Sequence, residues 1–114
     1  LIENQIGPLA NRMKCLQAML TQYFVMRGIE TVKYISASNK LKYIEGQKES
    51  YLERKALATK AVLGYLNSTN SSYKDAFEKC KKNDDLADAL LQGIGYLIEK
   101  DIIENMFHNA DYLK

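Results

Sequence analysis

The alternation of apolar and polar positions predicts a strand, a helix and a second strand in the first third of the chain. Residues 1–6 form an apolar run typical of a buried strand, and residues 31–36 are rich in β-branched and aromatic side chains. Between them, residues 11–27 are predicted to form a helix that Gly28 ends. Its apolar stripe consists of Met13, Leu16, Leu20, Tyr23 and Phe24. The order strand–helix–strand predicts a parallel pair of strands.

The rest of the chain is predicted to be mainly helical after a basic connector at residues 40–46. Ser50 and Glu53 have the spacing of a capping box, which opens a helix that runs to about Leu66. A polar loop at residues 67–72 separates it from a short helical piece at residues 73–79.

Asn83 is predicted to cap a further helix that runs from Asp84 to about Ile98. Gly93 and Gly95 lie inside it and suggest close packing on a sheet, since glycine in a helix interior otherwise costs about 1 kcal/mol relative to alanine. Residues 99–114 are predicted to form a tail with helical tendency.

Length and composition predict one domain over residues 1–114 and no segment that spans a membrane. Lysine and arginine exceed aspartate and glutamate by 16 to 14, which alone does not indicate nucleic-acid binding. The basic residues are concentrated, however, because residues 40–60 contain six of them against three acids. Cys15 and Cys80 lack metal-site spacing and are interpreted as reduced thiols of an intracellular protein.

Three carboxylates are the candidate ligands of a divalent cation. Asp85 and Asp88 are three residues apart at the start of the last helix, so they share a face, and Glu3 lies in the first strand. If the fold brings them together, they suit hard divalent cations such as Mg²⁺, and two such ions about 3.5–4 Å apart drive in-line phosphodiester cleavage. Two simpler interpretations stay open: acids favour the first turn of a helix, and Glu3 can be a solvated strand end.

Several segments, in this order, resemble the Holliday junction resolvases of the RuvC group, closest to the branch of poxviruses and other large DNA viruses. Fungal mitochondrial resolvases are a related branch. The resemblance extends from residue 1 to about residue 97. The segments are Ile2-Glu3-Asn4-Gln5, Arg12-Met13-Lys14, Ile35-Ser36-Ala37-Ser38, Tyr51-Leu52-Glu53-Arg54-Lys55 and Asp84-Asp85-Leu86-Ala87-Asp88-Ala89-Leu90.

The resemblance implies an α/β, RNase H-like fold, a mixed sheet with flanking helices. It also implies a homodimeric endonuclease that needs Mg²⁺, or Mn²⁺ in its place, and resolves four-way DNA junctions in recombination or viral genome processing. Glu3, Asp85 and Asp88 would be the catalytic metal ligands, whereas Asp84 is not one of the pair. The residues expected near the scissile phosphate are Lys40, Lys42, Arg54 and Lys55. The expected location is a viral replication site in the host cell or, alternatively, the mitochondrial matrix.

One departure from the family keeps alternatives open. The family's first strand carries another catalytic aspartate, and nothing in this sequence matches it or the strand hairpin that follows, so we expect the N-terminal strands to be absent from this chain. One alternative is another RNase H-like nuclease that cuts RNA·DNA hybrids or flaps. A second is a catalytically inactive protein that binds nucleic acid or serves in assembly. A third is a plain α-helical interaction module.

Overall fold

The computed structural model describes residues 1–44 and 50–108. Lys48 of the basic cluster and the final residues of the predicted tail, 109–114, lie outside the described residues. The chain divides into two compact units, Leu1–Ala37 and Ser38–Lys114.

The first unit is a strand–helix–strand element. Strand β1 (Ile2–Glu3) pairs in parallel with strand β2 (Tyr34–Ile35), and helix α1 (Asn11–Met26) connects them after a short 3₁₀ turn. The Ile2 amide donates to the Lys33 carbonyl at 2.9 Å, and the Asn4 amide donates to the Ile35 carbonyl at 2.8 Å. The predicted parallel pair is therefore confirmed, although each strand is only two residues long.

Helix α1 ends just before the glycine that the sequence indicated, with Arg27 as its C-cap. Gly28 has a φ of 80°, a conformation that side chains with a Cβ disfavour. The turn that it permits lets the amide of Ile29 donate to the carbonyl of Phe24 at 3.0 Å, which satisfies one of the last carbonyls of the helix.

Helix α1 contacts the strand segments through hydrogen bonds of its polar side chains, and its apolar stripe faces solvent. The Gln17 side-chain oxygen accepts from the Gln5 amide at 2.8 Å, and the Thr21 hydroxyl shares a hydrogen bond with the Tyr34 hydroxyl at 2.8 Å. No residue of α1 is buried. The stripe side chains stay exposed: Met13, Leu16, Leu20, Tyr23 and Phe24.

The prediction of an RNase H-like mixed sheet with flanking helices is wrong. Among the described residues the sheet has two strands, β1 and β2, and the remaining regular structure is helical. The physical reason is that a strand exists only where a neighbouring backbone completes its hydrogen bonds. Residues 31–33 have strand-like composition, but the ladder reaches only Tyr34 and Ile35. The run at residues 1–6 is also not a buried strand, since Ile6 is 76% exposed.

The second unit is a helical bundle. After a 3₁₀ turn at Ala37–Leu41, helix α2 (Tyr51–Ser68) and the short helix α3 (Lys74–Lys79) both pack against helix α4 (Asn83–Glu99). A 3₁₀ turn at Met106–His108 follows. The expectation that the aspartate-bearing helix packs on a sheet is therefore wrong, because α4 packs on helices. The apolar side chains buried in its core are Leu41, Ile44, Ala58, Ala61, Val62, Leu66, Phe77, Ala87, Leu91, Ile94 and Phe107.

Local sequence signals predicted the start of α2 correctly but not the cap of α4. The capping box is confirmed, because Ser50 accepts from the Glu53 amide at 3.2 Å and the Glu53 carboxylate accepts from the Ser50 amide at 2.7 Å. Asn83 is not a cap. Helix α4 includes it, the cap position falls on Lys82, and the Lys82 carbonyl accepts from the Asp85 amide at 3.2 Å.

The two glycines of α4 differ in their surroundings. A Cβ at position 95 would lie 3.1 Å from the Asn39 carbonyl oxygen and 3.7 Å from the Tyr43 ring, whereas one at position 93 would meet no atom within 4 Å. Gly95 therefore allows the chain at residues 39–43, rather than a sheet, to lie close against α4.

We predict opposite effects on stability for the two positions. Gly95→Val should lower the free energy of unfolding by about 1–3 kcal/mol, because its extra carbons must displace the Asn39 backbone. The control Gly93→Ala should raise it by up to about 1 kcal/mol through helix propensity alone. Urea unfolding followed by circular dichroism measures both, and equal effects of the two variants would contradict the close packing at Gly95.

Candidate functional site

The acids of α4 lie beside the packed side of that helix. Asp84 and Asp88 are one turn apart at the margin of the side that buries Ala87 and Leu91, and both are half-buried. Asp85 is turned about 100° from Asp84 around the helix axis and is exposed. The helix thus presents two sheltered carboxylates and one open carboxylate near its start.

Lysines from two other segments meet these acids. The Lys55 ammonium of α2 forms an ion pair with Asp84, and the Lys40 ammonium of the 3₁₀ turn forms one with Asp88. At the end of α4, a carboxylate oxygen of Glu99 lies 3.3 Å from the Nζ of Lys42, which follows the 3₁₀ turn. We call these three pairs the acid–base row. The row runs along α4 and is built by side chains distant in sequence.

Contacts within the row change the acidity of Asp84, Lys55 and Lys42. The hydrogen bond from Lys55 holds the pKa of the Asp84 carboxyl below its usual range, and the same bond raises the pKa of the Lys55 ammonium. The pKa of Lys42 is also raised, by its hydrogen bond to Tyr43 and then by Glu99. Asp84, Lys55 and Lys42 are therefore firmly charged at neutral pH.

The predicted DNA-contacting residues fall into two groups. Lys42 and Arg54 are exposed at the surface, with the Lys42 side chain also in contact with Glu99. Lys40 and Lys55 are held by Asp88 and Asp84 instead of standing open to solvent. The sequence indicated that these residue types belong to one site, but it did not indicate that they would pair with one another.

Glu3 belongs to the first unit, where it lies half-buried on β1. Its carboxylate accepts a hydrogen bond from the Gln5 side-chain amide at 3.3 Å. Asp85 and Asp88 belong to the second unit. The convergence of all three carboxylates on one cation stays a prediction.

The fit to Mg²⁺ can be judged from donor chemistry. Asp85 and Asp88 offer carboxylate oxygens, the donors that Mg²⁺ prefers, and Asp88 already holds a positive group in the form of the Lys40 ammonium. Within residues 1–44 and 50–108, no three metal-binding side chains are grouped so as to hold an ion. The type of donor fits, and Glu3 is the candidate for the missing third carboxylate.

Tyr51 and Glu99 are two contacts of the site that the sequence analysis missed. The Lys55 ammonium lies 5.1 Å from the centre of the Tyr51 ring, and Glu99 pairs with Lys42. The contact of Tyr51 with Lys55 could have been predicted, since residues 51 and 55 have the spacing of neighbours on one helix face. The contact of Glu99 with Lys42 could not, because no local pattern links residues 42 and 99.

Comparison with known proteins adds one relative. The chain is similar to a protein of Acanthamoeba polyphaga mimivirus named "Uncharacterized protein L451", at 34% identity over 118 positions. The match covers 84% of this chain and 28% of the mimivirus protein, so the chain spans just over a quarter of its relative's length. No protein-family model matches, and no solved structure matches. Across the part of the chain that the structure describes, each helix is too short or too polar to cross a membrane.

We predict that Lys55 controls the acidity of Asp84. In Lys55→Met the pKa of the Asp84 carboxyl should rise toward the ordinary value of about 3.9, because the hydrogen-bonding ammonium is gone. NMR titration of the side-chain carboxyl resonances measures this shift. The control Lys60→Met removes an exposed lysine about 140° away from Lys55 around the axis of α2 and should leave the Asp84 pKa unchanged.

The sign of the pH effect on stability follows from the same shift. A carboxyl with a depressed pKa in the folded protein stabilises it above the ordinary pKa, and this contribution is lost as the pH falls through the folded value. Wild-type protein should therefore lose its stability advantage over Lys55→Met in acid below about pH 4. A constant difference down to about pH 2 would contradict the role of the pair.

Proposed function

We propose that this chain is part of an endonuclease that cuts branched DNA, with the four-way junction as its substrate. The observation that carries the proposal is the acid–base row, together with the open Asp85 and the exposed Arg54 beside it. The sequence resemblance supports the same interpretation, since most of these residues lie in its two helical segments at residues 51–55 and 84–90.

The row suits a phosphodiester substrate because its lysines can exchange a carboxylate for a phosphate, and its acids can exchange a lysine for a metal ion. Lys40 and Lys55 are partly exposed in their ion pairs, with side-chain exposures of 25% and 38%. Because both pairs keep partial contact with water, a phosphate can reach the lysines and a divalent cation can reach the acids. When a divalent cation and DNA arrive together, the acids can hold the metal while the lysines turn to the phosphates.

Each residue then has a defined task. Glu3, Asp85 and Asp88 would hold Mg²⁺, or Mn²⁺ in its place, and the bound metal would activate water and stabilise the leaving 3′ oxygen. Lys40 and Lys55 orient the backbone near the scissile bond. The other two basic residues, Lys42 and Arg54, bind neighbouring phosphates. Such contacts place the DNA and carry little sequence information, which suits an enzyme that recognises a branch.

A homodimer is part of the proposal because of the symmetry of its substrate. Resolving a four-way junction needs two cuts related by a two-fold axis, and a symmetric dimer supplies two equivalent sites. The similarity to a mimivirus protein supports a virus-infected cell as the setting.

One observation favours a second candidate, a protein that binds branched nucleic acid without cutting it. Lys55 and Lys40 already neutralise Asp84 and Asp88, which is a stable arrangement that requires no metal. The two functions share the basic surface and differ in whether the carboxylates are needed.

We predict that the full-length protein nicks four-way junctions with Mg²⁺ or Mn²⁺ but not with Ca²⁺. Asp85→Asn and Asp88→Asn should each lower cleavage by at least about 100-fold, because each removes a charged metal ligand. Junction binding should persist or tighten, since each change removes a negative charge near the phosphates. The measurements are gel assays of cleavage and of binding.

The control for this assay is Asp75→Asn, which changes an exposed acid in the first turn of α3 and should leave cleavage unchanged. Undiminished cleavage by Asp88→Asn would remove Asp88 from the catalytic set. Metal-independent junction binding without any cleavage by the wild-type protein would establish the second candidate instead.

We also predict that the basic surface sets the salt dependence of binding. Arg54→Ala combined with Lys55→Ala should weaken binding to all DNAs alike. It should also flatten the plot of log K against log salt by about 0.9 for each phosphate that the variant no longer neutralises. Lys60→Ala combined with Lys79→Ala removes the same charge elsewhere and serves as the control. An unchanged slope in the first variant would show that Arg54 and Lys55 do not bind phosphate.

A further inference from the structure

An exposed aromatic side chain stands at the start of α2, next to the acid–base row. Tyr51 is the first residue of the helix and its surface is 62% exposed. It shares a helix face with Arg54 and Lys55, which are three and four residues further along. Burial in the core does not explain this ring, because the buried side of α2 is formed by other residues such as Ala58 and Val62.

The ring is connected to the proposed site through a single side chain. The Lys55 ammonium lies 5.1 Å from the centre of the Tyr51 ring and also pairs with Asp84. A phosphate bound by Lys55 would therefore lie beside Tyr51. Since each nucleotide carries its base next to its phosphate, a base at this point of the DNA could reach the ring.

We propose that Tyr51 stacks on an unpaired nucleobase next to the phosphate held by Lys55, and that this contact favours branched over duplex DNA. The proposal rests on the DNA-binding function proposed above. In a duplex the faces of the bases are covered by their neighbours, whereas at a branch point some bases can unstack and expose a face. Stacking on an aromatic side chain is tolerant of sequence, as recognition of a branch requires. Tyr51 is thus a specificity-determining residue rather than a catalytic one.

The simplest competing explanation is that Tyr51 only supports Lys55 by a cation–π contact. The two explanations differ in a measurable way. Support of Lys55 would strengthen binding to every DNA equally, because Lys55 contacts only the backbone. Stacking would strengthen binding only to DNA that offers an unpaired base.

The chain has no tryptophan, so Tyr51→Trp places a single fluorescent reporter at the site. The variant chain is titrated without metal against a four-way junction, a single strand and a fully paired duplex. We expect strong quenching by the junction and the single strand, and little by the duplex at equal saturation. The control Tyr73→Trp, at a position 75% exposed beyond the other end of α2, should show no such difference. Equal quenching of the Tyr51→Trp reporter by all three DNAs would overturn the proposal.

Affinity provides a second, independent readout. Tyr51→Ala should weaken junction binding roughly tenfold and leave duplex binding nearly unchanged, whereas Tyr51→Phe should keep the wild-type preference because it retains the ring. A junction with 2-aminopurine at the branch point reports stacking in the wild-type protein and its loss in Tyr51→Ala. Equal losses of affinity for junction and duplex would assign Tyr51 to the support of Lys55.

The outcomes separate this proposal from the function on which it rests. Selective quenching without cleavage supports the role of Tyr51 in a protein that only binds DNA. Cleavage that depends on Asp85 and Asp88, without selective quenching, overturns the role of Tyr51 and leaves the endonuclease proposal standing.

Discussion

The packing of α4 against α2 is the contact on which the rest of the second unit depends. Small side chains on both helices, Ala58, Ala61 and Ala87, are almost completely buried and let the two backbones approach closely. Leu91 and Val62 fill the space beside them and are the largest fully buried side chains described. This packing fixes the rotation of α4 about its axis. It thereby decides which acids lie at the margin of the core and which one, Asp85, faces solvent.

The acid–base row is a consequence of that rotation. A carboxylate at the margin of an apolar core is partly removed from water, and its charge is costly unless a cation or hydrogen-bond donors compensate. Lys55 reaches Asp84 from α2, and Lys40 reaches Asp88 from the 3₁₀ turn, so the fold supplies that compensation itself. The same lysines are the ones proposed to orient the DNA backbone. In the proposed enzyme, stability of the free protein and binding of the substrate therefore compete for the same side chains.

Local signals in the sequence predicted local structure well. The capping box at Ser50 and the end of α1 at Gly28 depend on residues a few positions apart, and both are as expected. The wide sheet was predicted wrongly, because a strand is made by its neighbours and composition cannot say whether a neighbour is present. The pairing of Lys40 with Asp88 was also beyond sequence reasoning, since 48 positions separate the two residues. Local elements could thus be predicted from the sequence, whereas contacts between residues distant in the chain could not.

The loss of the expected sheet does not remove the basis of the nuclease proposal, because chemistry resides in a site rather than in a fold class. Within the second unit, Asp84 meets Lys55 of α2 and Asp88 meets Lys40 of the 3₁₀ turn, and neither contact requires a sheet. What the sheet would have supplied is the position of Glu3 relative to Asp85 and Asp88. The proposal therefore has two parts: Glu3 joins the two aspartates at one metal, and Asp85 and Asp88 are needed for cleavage. The Asp85→Asn and Asp88→Asn variants test the second part directly. If Asp85 and Asp88 prove essential for cleavage but not for binding, their carboxylates serve the chemical step, and a third ligand for the proposed metal is then to be sought among acids such as Glu3.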